Sequence, residues 1–185
     1  MLRRLTVVAA AVLLLSACNS PTDPTSLVCH VDDQGHVSLI SVAISEVAGH
    51  LAHGDALAGQ LATAGATFSA SNTWDFRVPA RAFDGNYSTN WNAGAHPTQW
   101  IEIDFGSPQR FSAMSVKTDQ WPAGFTRHNI SLDGAAGFSW AGQTGDQEYL
   151  FHSFDTMQTA RRVRITTTDS PSWVAWYEIM ILGCK

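Results

Sequence analysis

Basic side chains are scarce in this 185-residue chain: 11 Lys and Arg stand against 16 Asp and Glu, for a formal net charge of −5. A surface of that sign does not favour nucleic acid or anionic lipid, both of which reward clustered Lys and Arg. Enzyme signatures are missing as well. There is no Gly-x-Ser-x-Gly, no His-Glu-x-x-His, no phosphate loop and no Cys-His pairing that reads as a nucleophile and its base. The paired acids Glu102 and Asp104 face out of one alternating stretch, as a solvated face does. A non-catalytic protein is the expectation. No run is apolar for long enough to span a bilayer as a helix, since the stretch from Leu5 to Leu15 falls short of the required length.

What is present begins with an address. Arg3 and Arg4 precede that apolar run, the layout of a secretory signal. The run ends in "LSAC", which resembles the bacterial lipoprotein lipobox. The resemblance implies cleavage of residues 1–17, lipid on Cys18, and attachment to the cell envelope through that lipid, at the outer membrane if the organism has two. Loss of Arg3 and Arg4 would take the net charge to about −7. Residues 18–28, rich in Pro, Ser and Thr, read as a flexible tether.

Cysteine is rare, with three in all. If Cys18 is lipidated, Cys29 and Cys184 remain in an oxidising compartment, where two thiols commonly pair. The alternative is that Cys29 ligates a metal.

From residue 61 to the end, short strands are separated by Gly, Pro and Asp turns, with neither an internal repeat nor a long amphipathic helix. "WIEIDFG" alternates Ile101, Ile103 and Phe105 against Glu102 and Asp104. "RVRIT" sends Val163 and Ile165 one way and Arg162 and Arg164 the other. "YEIMILG" alternates through Tyr177, Ile179 and Ile181. The pattern predicts an all-β sandwich or small barrel.

One stretch, "ARAFDGNYSTNW", crowds turn-forming and oxygen-bearing residues together. Asp84-x-Asn86-x-Ser88 imitates the start of an EF-hand loop, but Thr89 and Ala95 stand where that loop needs Gly and Glu. A plain turn, an ion cage of another kind and a catalytic carboxylate at Asp84 remain, the last without a second acid or nucleophile fixed beside it.

"RAFDGNYSTNW", "QWIEIDFG", "SLDG", "ARRVRI" and "WYEIMILG" together, in this order and spacing, resemble the discoidin or F5/8 type C domain, a family that includes galactose-binding-like carbohydrate modules. The resemblance implies an eight-stranded, jelly-roll-like β-sandwich. It also implies a structural calcium held by Asp84, Thr89, the carbonyls of Arg81 and Asn86, and Tyr177 with Glu178 from the last strand. Trp91, Trp100 and Trp140 fall where the family packs its core. Recognition is expected in loops at one end of the sandwich: Trp74, Phe76 and Arg77 in "SNTWDFR", His96 in "GAHPT", Trp121, Phe125, Arg127 and His128 in "DQWPAGFTRH", and Trp173 in "SPSW". Aromatic faces with planar or charged donors beside them suit a carbohydrate or another cell-surface ligand.

Residues 29–60 differ in character and hold four of the seven histidines. They resemble a short Cys-His…"HLAHGD" segment of secreted bacterial proteins. A helix ending at Gly54 places His50 and His53 on one face, and Cys29, His30 and Asp55 extend the set toward zinc chemistry. The second cysteine usual after "HGD" is absent, which favours Cys29 reaching Cys184. Two functions follow: a non-catalytic envelope lipoprotein holding a glycan or another cell-surface ligand, or a metal-binding envelope protein acting through Cys29, His30, His50, His53 and Asp55.

Overall fold

The computed structural model describes residues 24–32, 34 and 37–184; the signal run and Cys18 lie outside the described residues. Among the described residues, two sheets form. The smaller one has the order β2-β1-β3, made by β1 (Thr25–Val31), β2 (Val37–Ala43) and β3 (Ala56–Leu57), with helix α1 (Ile44–Ala52) between β2 and β3. Strand β1 begins at Thr25, so residues 25–28, expected in the tether, pair with β2 instead. Their Val28 is fully buried, and Leu27 half-buried, which a solvated tether could not provide.

The larger sheet contains eight strands among the described residues: β4 (Gly59–Gln60), β5 (Thr67–Ala70), β6 (Trp91–Asn92), β7 (Gln99–Thr118), β8 (Gly124–Leu132), β9 (Ala135–Thr144), β10 (Tyr149–Asp169) and β11 (Ala175–Gly183). The fold is mostly β, a sandwich as the sequence predicts. Strands β7 and β10 are long and antiparallel, and their register shifts twice. One half of β7 pairs with β5, the other with β11, so these two strands carry the chain across both layers.

The alternating stretches become neighbours. Val163 pairs with Ile103 and Ile165 with Ile101, and all four are buried. On the opposite face Arg164 meets Glu102 at 2.9 Å, and Arg161 forms a two-point pair with Asp104 at 2.7 and 2.9 Å. The acids read as a solvated face are thus neutralised across strands. Strand β11 departs from simple alternation. A register shift between Trp176 and Glu178 buries Trp176, Glu178 and Ile179 alike and leaves Tyr177 half-buried. A bulge places two residues against one and re-aims the side chains that follow.

Trp91, fully buried, centres the core with Trp176, Phe111 and Met114. Trp100 and Trp140 are only half-buried; the Arg164 guanidinium covers the Trp100 ring at 3.9 Å. The disulfide Cys29–Cys184 joins β1 to the end of the chain across 155 residues.

Candidate functional site

At one end of the sandwich, loops enclose a cleft of about 410 Å3. Trp121 and Pro122 form one wall, Pro171, Ser172 and Trp173 another, and Asn92, His96 and Asp119 line the remainder. The Trp121 ring is 81% exposed, the most exposed large apolar side chain among the described residues. No hydrophobic gain accounts for an indole placed there, whereas a ring face beside polar groups suits a ligand with apolar C–H patches. Trp173 is braced edge-on by Trp74, centroids 5.5 Å apart, and the Arg77 guanidinium lies 4.8 Å over the Trp74 ring. Asp119 accepts a hydrogen bond from the Asn90 side chain. Burial raises its pKa, with Asp146 adding and the Asn90 bond and Arg77 opposing.

Away from the cleft, the 84–89 turn gathers oxygens. The Thr89 hydroxyl lies 2.9 and 3.1 Å from the two Asp84 carboxylate oxygens, 3.0 Å from the Asn86 carbonyl and 3.5 Å from that of Arg81. Asn86 N–H donates to Asp84 Oδ1 at 2.8 Å, the side-chain-to-backbone turn expected of Asp. Gly85 takes φ +74°, a conformation that glycine adopts without a Cβ penalty, and its N–H donates to Glu178 Oε2 at 3.1 Å. Glu178 is fully buried, and its Oε1 has no hydrogen-bond partner. Burial pushes its carboxyl up to about 7, with Asp84 adding to the rise and the Gly85 bond opposing it.

The F5/8 type C domain profile matches residues 62–179, more than half of the chain. The chain belongs to the F5/8 type C domain family. Among solved structures, the family 32 carbohydrate-binding module of C. perfringens NanJ, in complex with galactose, superposes with a TM-score of 0.59 at 16% identity, over 68% of this chain and 99% of the module. The chitosan-binding module 1 of a chitosanase/glucanase from Paenibacillus sp. IK-5 gives 0.53 at 25% identity, over 64% and 95%. The family 32 module of AlyQ, in complex with 4,5-unsaturated mannuronic acid, gives 0.52 at 26%, over 62% and 92%. No curated protein matches the chain in sequence.

Within this F5/8 type C domain the cleft unites His96, Trp121 and Trp173, with Trp74 and Arg77 behind Trp173. Phe76 turns away, under the Arg81 guanidinium at 5.0 Å. Arg127 pairs with Asp169 at 3.3 Å on the outer face of β8. His128 requires a correction. Strand β8 begins at Gly124, so alternation sends Thr126, His128 and Ile130 inward. His128 is buried, bonded to Thr167 Oγ1 at 3.0 Å and out of reach of a loop ligand. Sequence reasoning did not single out Asn92 and Asp119; Asn92 follows Trp91 at the end of β6, and Asp119 directly follows β7 at the start of "DQWPAGFTRH".

The oxygen set around Asp84, Thr89, Arg81 and Asn86 is hard and partly backbone, which fits calcium. The unpartnered Glu178 Oε1 fits too, because a buried carboxylate oxygen without a partner is costly until a cation or proton engages it. The Tyr177 ring lies beneath Lys117, whose ammonium is 5.1 Å from its centroid.

Between β1 and the end of α1, His30 Nδ1, His50 Nδ1 and His53 Nε2 lie 2.8, 2.7 and 3.1 Å from Asp55 Oδ2. Cys29 is excluded from this group because its sulfur is spent in the disulfide. Burial would raise the Asp55 carboxyl, but the Val31 N–H and the three imidazoles outweigh it and hold it well below the usual carboxylate range.

Proposed function

We propose that this chain is a non-catalytic carbohydrate-binding protein of the cell envelope, lipid-anchored at Cys18, whose cleft around Trp121 holds the glycan. The observation that carries this reading is the bare Trp121 ring at the mouth of a cleft with polar groups at its floor. Trp121 and Trp173 would meet the C–H face of a sugar, while Asn92, His96 and Asp119 supply donors and acceptors for its hydroxyls. The titles of structural neighbours name galactose, chitosan and an unsaturated mannuronic acid, which supports a saccharide as the ligand class. The lining includes one carboxylate and neither lysine nor arginine. Neutral or amino sugars are therefore favoured over uronic acids, which Asp119 would repel.

A calcium ion held by Asp84, Thr89, the Arg81 and Asn86 carbonyls and Glu178 belongs to this reading. It would neutralise two acids and fasten the 84–89 turn to the last strand. These residues supply only binding and orientation; the turn stands apart from the cleft and serves as support.

The test is a glycan array probed with the chain, followed by calorimetry on any hits. Binding of neutral or amino sugars that Trp121→Ala abolishes is expected. Absence of any saccharide hit, or hits unaffected by that substitution, would overturn the reading.

A further inference from the structure

Three imidazole nitrogens converge on a single carboxylate oxygen, and ordinary hydrogen bonding does not explain that convergence. A carboxylate oxygen has two lone-pair directions, yet His30, His50 and His53 all approach Asp55 Oδ2 within 3.1 Å. The other oxygen, Oδ1, is already engaged by the Val31 N–H at 3.0 Å. That bond fixes the carboxylate so that Oδ2 faces the rings. The ring planes stand nearly perpendicular in every pair, at 87°, 72° and 81°, so they radiate about a common centre and do not stack. The four ligand atoms all lie within 4.8 Å of one another.

The local chain is built to produce this. His50 occupies the last turn of α1 and His53 caps it. Gly54 then takes φ +99° and turns the chain back, and the Asp55 N–H bonds to the His50 carbonyl at 3.1 Å. His30 arrives from β1, immediately after the disulfide-bonded Cys29. The Asp55 side chain is 1% exposed and that of His53 is 56% exposed. The anchor is therefore interior, while one ligand remains open to solvent as an entry path.

We infer that His30, His50, His53 and Asp55 form a binding site for one zinc ion or a similar borderline divalent transition metal. Three imidazoles and one carboxylate suit zinc far better than calcium or magnesium, which want oxygen alone. Four protein donors close a tetrahedral site, so the ion is structural and carries no reacting water. Its role follows from the packing. Helix α1 has no buried residue, and the small sheet buries few apolar side chains to hold it. Units with little core rely on cross-links. The metal ties α1 to β1, and the adjacent disulfide ties β1 to the end of the sandwich. This site is independent of the glycan cleft, and either can fail without the other.

The test is zinc titration into the full chain after chelator stripping, read by calorimetry and elemental analysis, with cobalt(II) as a spectroscopic probe. One zinc per chain and the intense visible bands of tetrahedral cobalt are expected. His53→Ala, at a half-exposed position, is expected to weaken zinc at least about 10-fold. Asp155→Ala, at an exposed acid on β10, leaves zinc affinity unchanged. In the unaltered chain, zinc shifts the imidazole proton resonances of His30, His50 and His53 and spares His128. No zinc uptake, uptake unaffected by His53→Ala, or shifts centred on other histidines would each overturn the assignment.

Discussion

The His128 imidazole stands edge-on to the Trp176 indole, ring centroids 4.7 Å apart, inside the sandwich. Its Nδ1 meets Thr167 Oγ1, and its Nε2 has no partner. Burial pushes the pKa down from 6.5 to about 4. A histidine with a depressed folded pKa takes up its proton more readily when unfolded. Its contribution to stability is thus whole above about pH 6.5, declines as the pH falls toward 4, and changes no further below that. The loss amounts to about 3 kcal/mol over that window. Denaturant titrations of the wild type and His128→Gln at several pH values check this. The variant should lack that part of the slope, and identical slopes would refute the assignment.

Trp121→Ala is expected to lower saccharide affinity by about 1 to 3 kcal/mol, by analogy with aromatic stacking on nucleic-acid bases, without changing the melting temperature. The ring is bare, so its removal leaves no cavity. Calorimetry paired with thermal melts separates the two effects, and a large drop in melting temperature would count against a binding role.

Chelation tests the oxygen-rich turn. A ligand present at about 100 times its dissociation constant stabilises a fold by about 2.7 kcal/mol. For a chain of this size that is roughly 5 to 10 °C in Tm. The wild type should lose this on treatment with a calcium-selective chelator, whereas Asp84→Ala should melt low with or without it. Calcium-insensitive melting of the wild type would return residues 84–89 to a plain turn.

Reduction of Cys29–Cys184, which closes a loop spanning 155 residues, is expected to cost up to about 5 kcal/mol in the chain-entropy model. Urea denaturation with and without reductant measures it. A Cys29→Ser, Cys184→Ser double variant should match the reduced wild type.

The two tryptophans of adjoining segments should differ. Trp91→Ala empties a fully buried position and is expected to cost about 3 to 5 kcal/mol. Trp100→Ala removes a half-buried ring whose Arg164 contact is worth about 0.5 to 1 kcal/mol, and should cost clearly less. Equal costs by denaturant titration would mean the Trp100 ring packs more deeply than its exposure indicates.

By itself the alternation determined a β class, sandwich or small barrel, and its inward faces; the family resemblance of the five motifs chose the sandwich. Alternation at Ile101, Ile103, Val163 and Ile165 is a local signal, because successive side chains in a strand point to opposite sides. With Cys18 read as the lipid-bearing residue, the scarcity of cysteine left Cys29 and Cys184 as the natural pair, and the three-residue spacing of His50 and His53 put both on one face of a helix. Only tertiary structure decided the rest. The bulge before Glu178 sends that carboxylate into the interior, and a bulge leaves no periodic trace in the chain. His128 went inward because β8 starts at Gly124, a boundary that the turn-rich "WPAG" conceals. Asn92 and Asp119 enter the cleft, and His30 joins His50, His53 and Asp55, through contacts between segments distant in sequence. Local pattern fixes which way a side chain faces along its own strand, whereas strand pairing and loop packing fix what it faces.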